Sequence, residues 1–388
     1  MRKTITIGDL GTIITGKTPP TTNKNYYGDY AVFIKPTDIS EQCKFTYETE
    51  EMYSKLAAEK YKNSLIPKGA ICVPCIGTIG TKMTMAPCDC YTNQSINSIV
   101  CGENYDNEYV YYLIKNFLPG LKAYNLGTAS GREYVSKSNF EKIELVAEQD
   151  INIQKRIGVI LSRYDSLIEN HQKQIKLLEE AAQRLYKEWF VDLHFPGHEN
   201  TKIIDGVPEG WEKKKVGDMI SKIQRTKQVT TNNYQASGKI PVIDQSRNYI
   251  AGYTDDAECL VKVTVPYIVF GDHTRILKYI PFSFAKGADG TQLIMSNDLE
   301  RMPQTLFYNS LIEIDLSNYS YARHFKYLKE EFVLLPSEYI ARKYDSIVSR
   351  YYQSIQKSRE QIRLLSEARD RLLPKLMSGE IDINVPKG

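Results

Sequence analysis

The chain contains itself twice. Residues 153–190 and 340–377 align without a gap at an offset of 187, and 14 of those 38 positions are identical. Ser162-Arg163-Tyr164 matches Ser349-Arg350-Tyr351; Ile175, Leu177, Leu178, Glu180, Ala181, Arg184 and Leu185 match Ile362, Leu364, Leu365, Glu367, Ala368, Arg371 and Leu372. One local match is a heptad out of step: Tyr164-Asp165-Ser166-Leu167-Ile168 with Tyr344-Asp345-Ser346-Ile347-Val348. The first turns of the two copies therefore admit two alignments, and their C-terminal halves only one.

Each copy carries an apolar stripe with alternating steps of four and three. The first reads Ile157, Leu161, Tyr164, Ile168, His171, Ile175, Leu178, Ala182, Leu185, Trp189. The second reads Tyr344, Val348, Tyr351, Ile355, Ser358, Ile362, Leu365, Arg369, Leu372, Leu376. A spacing near 3.5 sustained this long predicts a coiled-coil seam rather than a helix lying on a sheet. At ~1.5 Å per residue each copy makes a rod of about 60 Å. Matched stripes pack most simply on each other about an approximate two-fold axis, so that one chain imitates a symmetric dimer.

The rods divide the 388 residues into a globular part at 1–147, a helix at 148–192, a second globular part at 193–335, and a closing helix and tail at 336–388. Both globular parts read as mixed strands and short helices, an α+β class. Strand signals include Ala31-Val32-Phe33-Ile34 and Ala70-Ile71-Cys72-Val73. A Pro/Gly-rich connector at 192–210 precedes Trp211. The two parts open alike, Ile7-Gly8-Asp9-Leu10 against Val216-Gly217-Asp218-Met219, and close on apolar strands, Ile143-Glu144-Leu145-Val146 and Phe332-Val333-Leu334-Leu335. Between these ends their sequences scarcely resemble each other. Such a pattern suits two specificities on one shared frame.

No apolar run is long enough to span a membrane, and Met1-Arg2-Lys3-Thr4-Ile5 opens no signal-peptide stretch, so a cytoplasmic protein is expected. Seven cysteines, an odd number, favour reduced thiols. Basic and acidic residues balance in both globular parts, 16 against 15 in 1–147 and 17 against 17 in 193–335. A protein that grips duplex DNA alone usually shows a basic excess. If this chain holds DNA, it shares the electrostatic grip with a partner.

Several motifs look chemical and yield to plainer readings. Gly11-Thr12-Ile13-Ile14-Thr15-Gly16-Lys17-Thr18 fits the phosphate-loop pattern, but Pro19-Pro20 follow where a helix must open. Cys72, Cys75, Cys88 and Cys90 have an irregular second spacing for zinc and read as small apolar thiols, so no metal is expected. Asp272 and His273 are adjacent on extended backbone and point apart. His171 on the seam reads as a register residue. No catalytic residue emerges.

What remains are polar loops rich in Asn, Gln, Arg, Lys and Thr, side chains able to pair with base edges. In the first globular part they are 15–25, 77–82, 91–94 and 127–132, with Lys17, Thr18, Lys82, Asn93, Gln94 and Arg132 as candidate DNA contacts. In the second they are 222–228, 271–275 and 287–292, with Arg225, Lys227, His273, Thr274, Arg275 and Gln292.

The whole chain resembles the specificity subunit of type I restriction-modification systems. Thr15-Gly16-Lys17-Thr18-Pro19-Pro20 is similar to a frequent opening of that family's target-recognition domains, which accounts for the false phosphate loop. Gln154-Lys155-Arg156-Ile157, and the rod ending Leu185-Tyr186-Lys187-Glu188-Trp189-Phe190-Val191-Asp192, resemble its central region. Arg369-Asp370-Arg371-Leu372-Leu373-Pro374-Lys375-Leu376-Met377-Ser378-Gly379-Glu380-Ile381 resembles its C-terminal region and is the most specific string. Gly271-Asp272-His273-Thr274-Arg275 and Gly287-Ala288-Asp289-Gly290 recur in one class of its recognition domains.

The resemblance implies two target-recognition domains, each reading half of a split site in double-stranded DNA, joined by two helices that pack as an intramolecular coiled coil and fix the gap. It implies no chemistry and no cofactor on this chain. Two modification subunits would bind the rods, with Arg363 and Arg371 as candidate contacts, and would hold S-adenosylmethionine to methylate a flipped adenine. Two restriction subunits using ATP and Mg would then join. The competing readings are a coiled-coil scaffold with two protein-binding heads, and an NTPase built on Lys17.

Overall fold

The structure is a computed structural model that describes residues 2–383 apart from 128–130, 225, 288–289 and 320–322. Two compact units emerge. The first combines Met1–Gln172 with Glu360–Gly388, and the second is Lys173–Arg359. The helix Ile151–Tyr186 and the helix Glu338–Ser378 each begin in one unit and end in the other.

Within each unit the two long helices pack side by side. In the first, Ile157 and Leu161 share a core with Leu373, Leu376 and Met377, and Asp165 meets Arg369. In the second, Gln174 lies beside Ser358, Glu179 beside Arg359, and Ala182, Tyr186 and Trp189 around Tyr344. The numbers rise on one helix as they fall on the other, so this pairing is antiparallel. Every position of both stripes is buried or half-buried.

Burial also settles the alignment of the repeat. At the offset of 187, Gln154, Ile157, Leu161, Asp165, Ile168, Ala182, Tyr186, Trp189 and Phe190 are buried, and so are Ala341, Tyr344, Val348, Tyr352, Ile355, Arg369, Leu373, Leu376 and Met377. The gapless alignment holds along the whole of both helices, and the shifted match at Tyr164 is local.

Each globular part, or head, hangs on a two-stranded frame. Arg2–Thr6 pairs antiparallel with Glu144–Glu148, and Glu212–Lys215 with Phe332–Leu335. A 3-10 turn follows the first strand of each frame, Ile7–Leu10 and Val216–Met219, burying its first and last residues. The glycine in each turn lies under a short helix: a Cβ on Gly8 would sit 3.3 Å from the Glu141 carbonyl oxygen, and one on Gly217 3.1 Å from that of Lys329. In the first unit Arg2 donates to the carbonyls of Met377 (2.9 Å) and Leu376 (3.0 Å), tying the first strand to the last helical turn.

The likeness goes deeper than the sequence suggests. In the first head Ile71–Pro74 runs antiparallel between Thr84–Met85 and Ile96–Cys101; in the second Tyr267–Gly271 runs antiparallel between Leu277–Ile280 and Thr291–Ile294. Beside this trio lies a parallel pair, Tyr27–Ile34 with Tyr91–Thr92 and Ile240–Ile243 with Phe284–Lys286. A helix then seats each head on a long helix of its own unit. Tyr112 of Asn107–Phe117 donates its hydroxyl to Asp165, and Thr305 of Gln304–Ile312 donates to Asp345 at 2.6 Å. The interiors differ in sequence but share this trio and this parallel pair of strands.

Leu161 is fully buried whereas Leu177 is 65% exposed, although both lie on the same helix. Leu161→Ala should cost about 2–5 kcal/mol, and Leu177→Ala should stay within about 0.5 kcal/mol. Chemical denaturation of the two variants checks the assignment of inner and outer faces.

Candidate nucleic-acid interface

The segment that mimics a phosphate loop is a strand. Gly11–Thr15 pairs antiparallel with Ile96–Cys101, and the chain then continues along Tyr91–Thr92, where Lys17 donates its backbone N–H to the Thr92 carbonyl at 2.9 Å. No helix N-terminus faces an anion there. Gly16 is needed because the two backbones nearly touch: a Cβ would lie 2.1 Å from the Thr92 oxygen and 2.3 Å from that of Asn93.

This crossing brings the first candidate loops together. Lys17 and Thr18 are exposed; the Tyr53 hydroxyl donates to the Lys17 carbonyl, and the Thr18 hydroxyl donates to the Gln94 side-chain oxygen. Asn93 holds its own turn, accepting from the Ser95 N–H at 3.1 Å. The Ser95 carbonyl in turn accepts from Cys75 at 2.7 Å, which sews the stem of the 77–82 loop to the same edge. Lys82, half-buried, belongs to that loop, and Glu133 clamps it by accepting from Gly77 (2.9 Å) and Ile79 (3.1 Å). Arg132 is therefore the exposed neighbour of a residue that holds the loop. Lys17, Thr18, Lys82, Asn93, Gln94 and Arg132 thus stand on connected loops at one edge.

The second head builds the same edge with different residues. Its 271–275 loop is the counterpart of 77–82, and the stretch around Gly287 is the counterpart of Asn93. As Asn93 donates to the Ile34 carbonyl at 3.1 Å, Gly287 donates to that of Ile243 at 2.8 Å. His273, Thr274 and Arg275 are exposed. His273 donates its N–H to the Gln245 side-chain oxygen (3.1 Å), Thr274 its hydroxyl to the Gln245 carbonyl (2.7 Å), and Arg275 a guanidinium N–H to the Leu316 carbonyl (3.1 Å). Gln292 is half-buried in the adjacent strand, paired with Phe270.

Gln245 sits where these loops meet, and sequence reading passed it over. Its segment, Asp244-Gln245-Ser246-Arg247-Asn248, leaves the strand Ile240–Ile243. Buried Lys278 anchors it, donating to the Asp244 (2.8 Å) and Asn248 (2.5 Å) carbonyls. Burial pushes the Lys278 amine down to about 8, with Asp244 working in the other direction. The polar run after an apolar strand was the available signal, of the kind that flagged the other loops.

Lys227 stands apart from this group. It is held by Asp256 at 2.8 Å and Glu258 at 3.0 Å, which raise its amine above the usual lysine range. Arg225 lies outside the described residues. Asp272 is structural: buried, it accepts from the Phe325 N–H at 2.8 Å and so starts the helix His324–Glu330.

Cys72, Cys75 and Cys90 are buried, which pushes the first two thiols up to about 11 and about 12, and Cys88 is exposed. Among the described residues no group of three or more His, Cys, Asp or Glu is placed to hold a metal ion. No helix of the described residues is long and apolar enough to cross a membrane. Arg363 and Arg371 lie on the outer face of the second long helix, 49% and 78% exposed at the side chain, both bound to Glu367 and Arg363 also to Glu360.

The model of the family described as "Type I restriction modification DNA specificity domain" matches residues 2–180. The specificity subunit of the type I restriction enzyme MjaIX from Methanocaldococcus jannaschii is 26% identical over 97% of this chain and 93% of its own length. The HindI specificity subunit from Haemophilus influenzae is 34% identical over 45% of this chain and 38% of its own. In fold, the crystal structure of a type I restriction-modification S subunit from M. genitalium superposes with a TM-score of 0.58 at 16% identity, covering 99% of this chain and 97% of that one. Residues 2–180 thus match that family's model, and along nearly all of its length the chain is similar to a specificity subunit of a type I restriction-modification system.

Proposed function

We propose that the chain reads a bipartite site in double-stranded DNA, the head at 1–147 reading one half and the head at 193–335 the other, while the two long helices fix the gap. The observation that carries this reading is the repeated edge: one topology presents equivalent loops twice, with different side chains each time. Two readers of the same kind with different chemistry suit two different half-sites. In the first head Lys17, Thr18, Lys82, Asn93, Gln94 and Arg132 supply the contacts; in the second His273, Thr274, Arg275 and Gln292 do, with Gln245 at their centre. Arg225 and Lys227 reach phosphates at the margin, Lys227 by exchanging its carboxylate partners for the backbone.

Balanced charge in each head leaves the grip on DNA to partners. Two modification subunits carry S-adenosylmethionine and methylate an adenine taken out of the stack, and two restriction subunits bring ATP and Mg. The complex works in the cytoplasm. Support for two copies of one partner comes from the outer faces of the long helices. Leu177 and Arg184 are exposed, and so are their repeat equivalents Leu364 and Arg371, each identical to its counterpart. Core packing does not constrain an exposed side chain, so identity there points to a shared external contact. Arg363 flanks that face.

Two experiments test the reading. Replacing residues 212–331 by the equivalent interior of another specificity subunit should change the bases of one half-site and leave the other half-site and the gap alone, as read by methylome sequencing of a host that also carries the modification subunit. A change in both half-sites would sink the idea of independent heads. Leu177→Glu combined with Leu364→Glu should leave the unfolding temperature of the chain unchanged and abolish co-elution with the modification subunit on size exclusion. Intact co-elution would remove this face from the assembly.

A further inference from the structure

The two long helices are copies of one another, yet their seams are not interchangeable. In each unit an ion pair joins one long helix to the other. In the first unit Asp165 and Arg369, 4% and 5% exposed, bond to each other directly. Tyr112 donates to the second carboxylate oxygen, and Asp370 accepts from the far side of the guanidinium at 2.9 Å. In the second unit Glu179 meets Arg359 at 3.0 Å, and that guanidinium lies 3.7 Å over the ring of Tyr249. Both pairs run the same way. The acids stand on the first helix and the arginines on the second.

The repeat shows what each pair would face in the wrong partner. At the offset of 187, Asp165 corresponds to Tyr352, Arg369 to Ala182, Glu179 to Ser366 and Arg359 to Gln172. A seam built from two first helices would set Asp165 against Ala182 and Glu179 against Gln172. One built from two second helices would set Arg369 against Tyr352 and Arg359 against Ser366. The first leaves buried Asp165 with no counter-ion, and the second leaves buried Arg369 with only its own neighbour Asp370. Either costs more than a mismatch between apolar side chains, while the partly exposed Glu179 and Arg359 add a smaller penalty. The remaining seam offers little discrimination, because its stripes match position by position.

We propose that Asp165–Arg369 and Glu179–Arg359 form a pairing code that commits the first long helix to the second and rejects like-with-like pairing with another copy of the chain. It acts as opposite charges do in choosing coiled-coil partners, by penalising the alternatives. Without it, an internal repeat of this kind invites self-association through either helix alone. The code concerns the seam and is independent of what the heads bind.

Full-length chains test it without DNA or partner subunits. One variant carries Asp165→Arg and Glu179→Arg, placing arginines on both helices; a second carries Arg369→Asp and Arg359→Glu, placing acids on both. Each alone should unfold roughly 10 °C below the unaltered chain, and a chain with all four substitutions should recover most of that loss. Co-expressed with different affinity tags, the two double variants should copurify in a 1:1 ratio, since exchanging helices restores acid against arginine in every seam. Differently tagged copies of the unaltered chain should not copurify. If the double variants are insoluble when expressed singly, the tagged co-expression still decides the matter. Failure of the fourfold variant to recover stability, or double variants that copurify no better with each other than with themselves, would overturn the proposal.

Discussion

A helix with an apolar stripe and three polar faces has no stable place in water until the stripe is covered. Here each stripe is covered by the other, and the rest of the structure depends on that contact. The antiparallel pairing gives each unit one segment from each long helix, so the first unit is built from two stretches of chain that lie at opposite ends of the sequence. Arg2 shows the consequence at the chain ends, holding the last turn of the second long helix from the first strand of the molecule. Burial along both helices follows one offset from end to end, including positions such as Asp165 and Tyr352 where chemistry differs completely. Geometry has been kept where composition has not.

The heads obey the same logic. The first strand of each frame leads into a 3-10 turn whose glycine admits a neighbouring helix, and each parallel pair of strands ends where the candidate loops cross. Gly16 shows why the crossing tolerates so little change, since any side chain there would enter the backbone of Thr92 and Asn93. Beyond such fixed points, and apart from buried anchors such as Ile79, the loops present exposed polar side chains, among them Lys17, Thr18, His273, Thr274 and Arg275, on backbone held by hydrogen bonds. Their side chains can therefore vary without disturbing the sheets beneath, which is the property a family of sequence readers requires.

Much of this was legible in the sequence, and the residues show why. The stripes were visible because a period of 3.5 needs no knowledge of the partner, and the frame strands because both halves open and close alike. The common topology of the interiors was hidden: a strand such as Ile71–Pro74 was legible by itself, but its pairing between Thr84–Met85 and Ile96–Cys101 leaves no mark in the local pattern. Asp165 was equally opaque, since a polar residue beside the stripe reads as solvated until Arg369, 204 positions away, is placed against it. Among the candidate contacts, Lys17, Thr18, Asn93 and Gln94 proved to be neighbours, while Lys227 is occupied by Asp256 and Glu258. Gln245 escaped notice because its role comes from loops that meet only in three dimensions.

The central claim is that helix length and head chemistry are separate variables, one setting the gap in the DNA site and the other its bases. Removing one heptad from each long helix isolates the first variable, shortening each by about 10 Å at ~1.5 Å per residue. Methylome sequencing of a host that carries the shortened chain with its modification subunit is the direct measurement. Methylated sites with both half-site sequences intact and a shorter gap between them are the expected result. Altered bases in either half-site at an unchanged gap would contradict it.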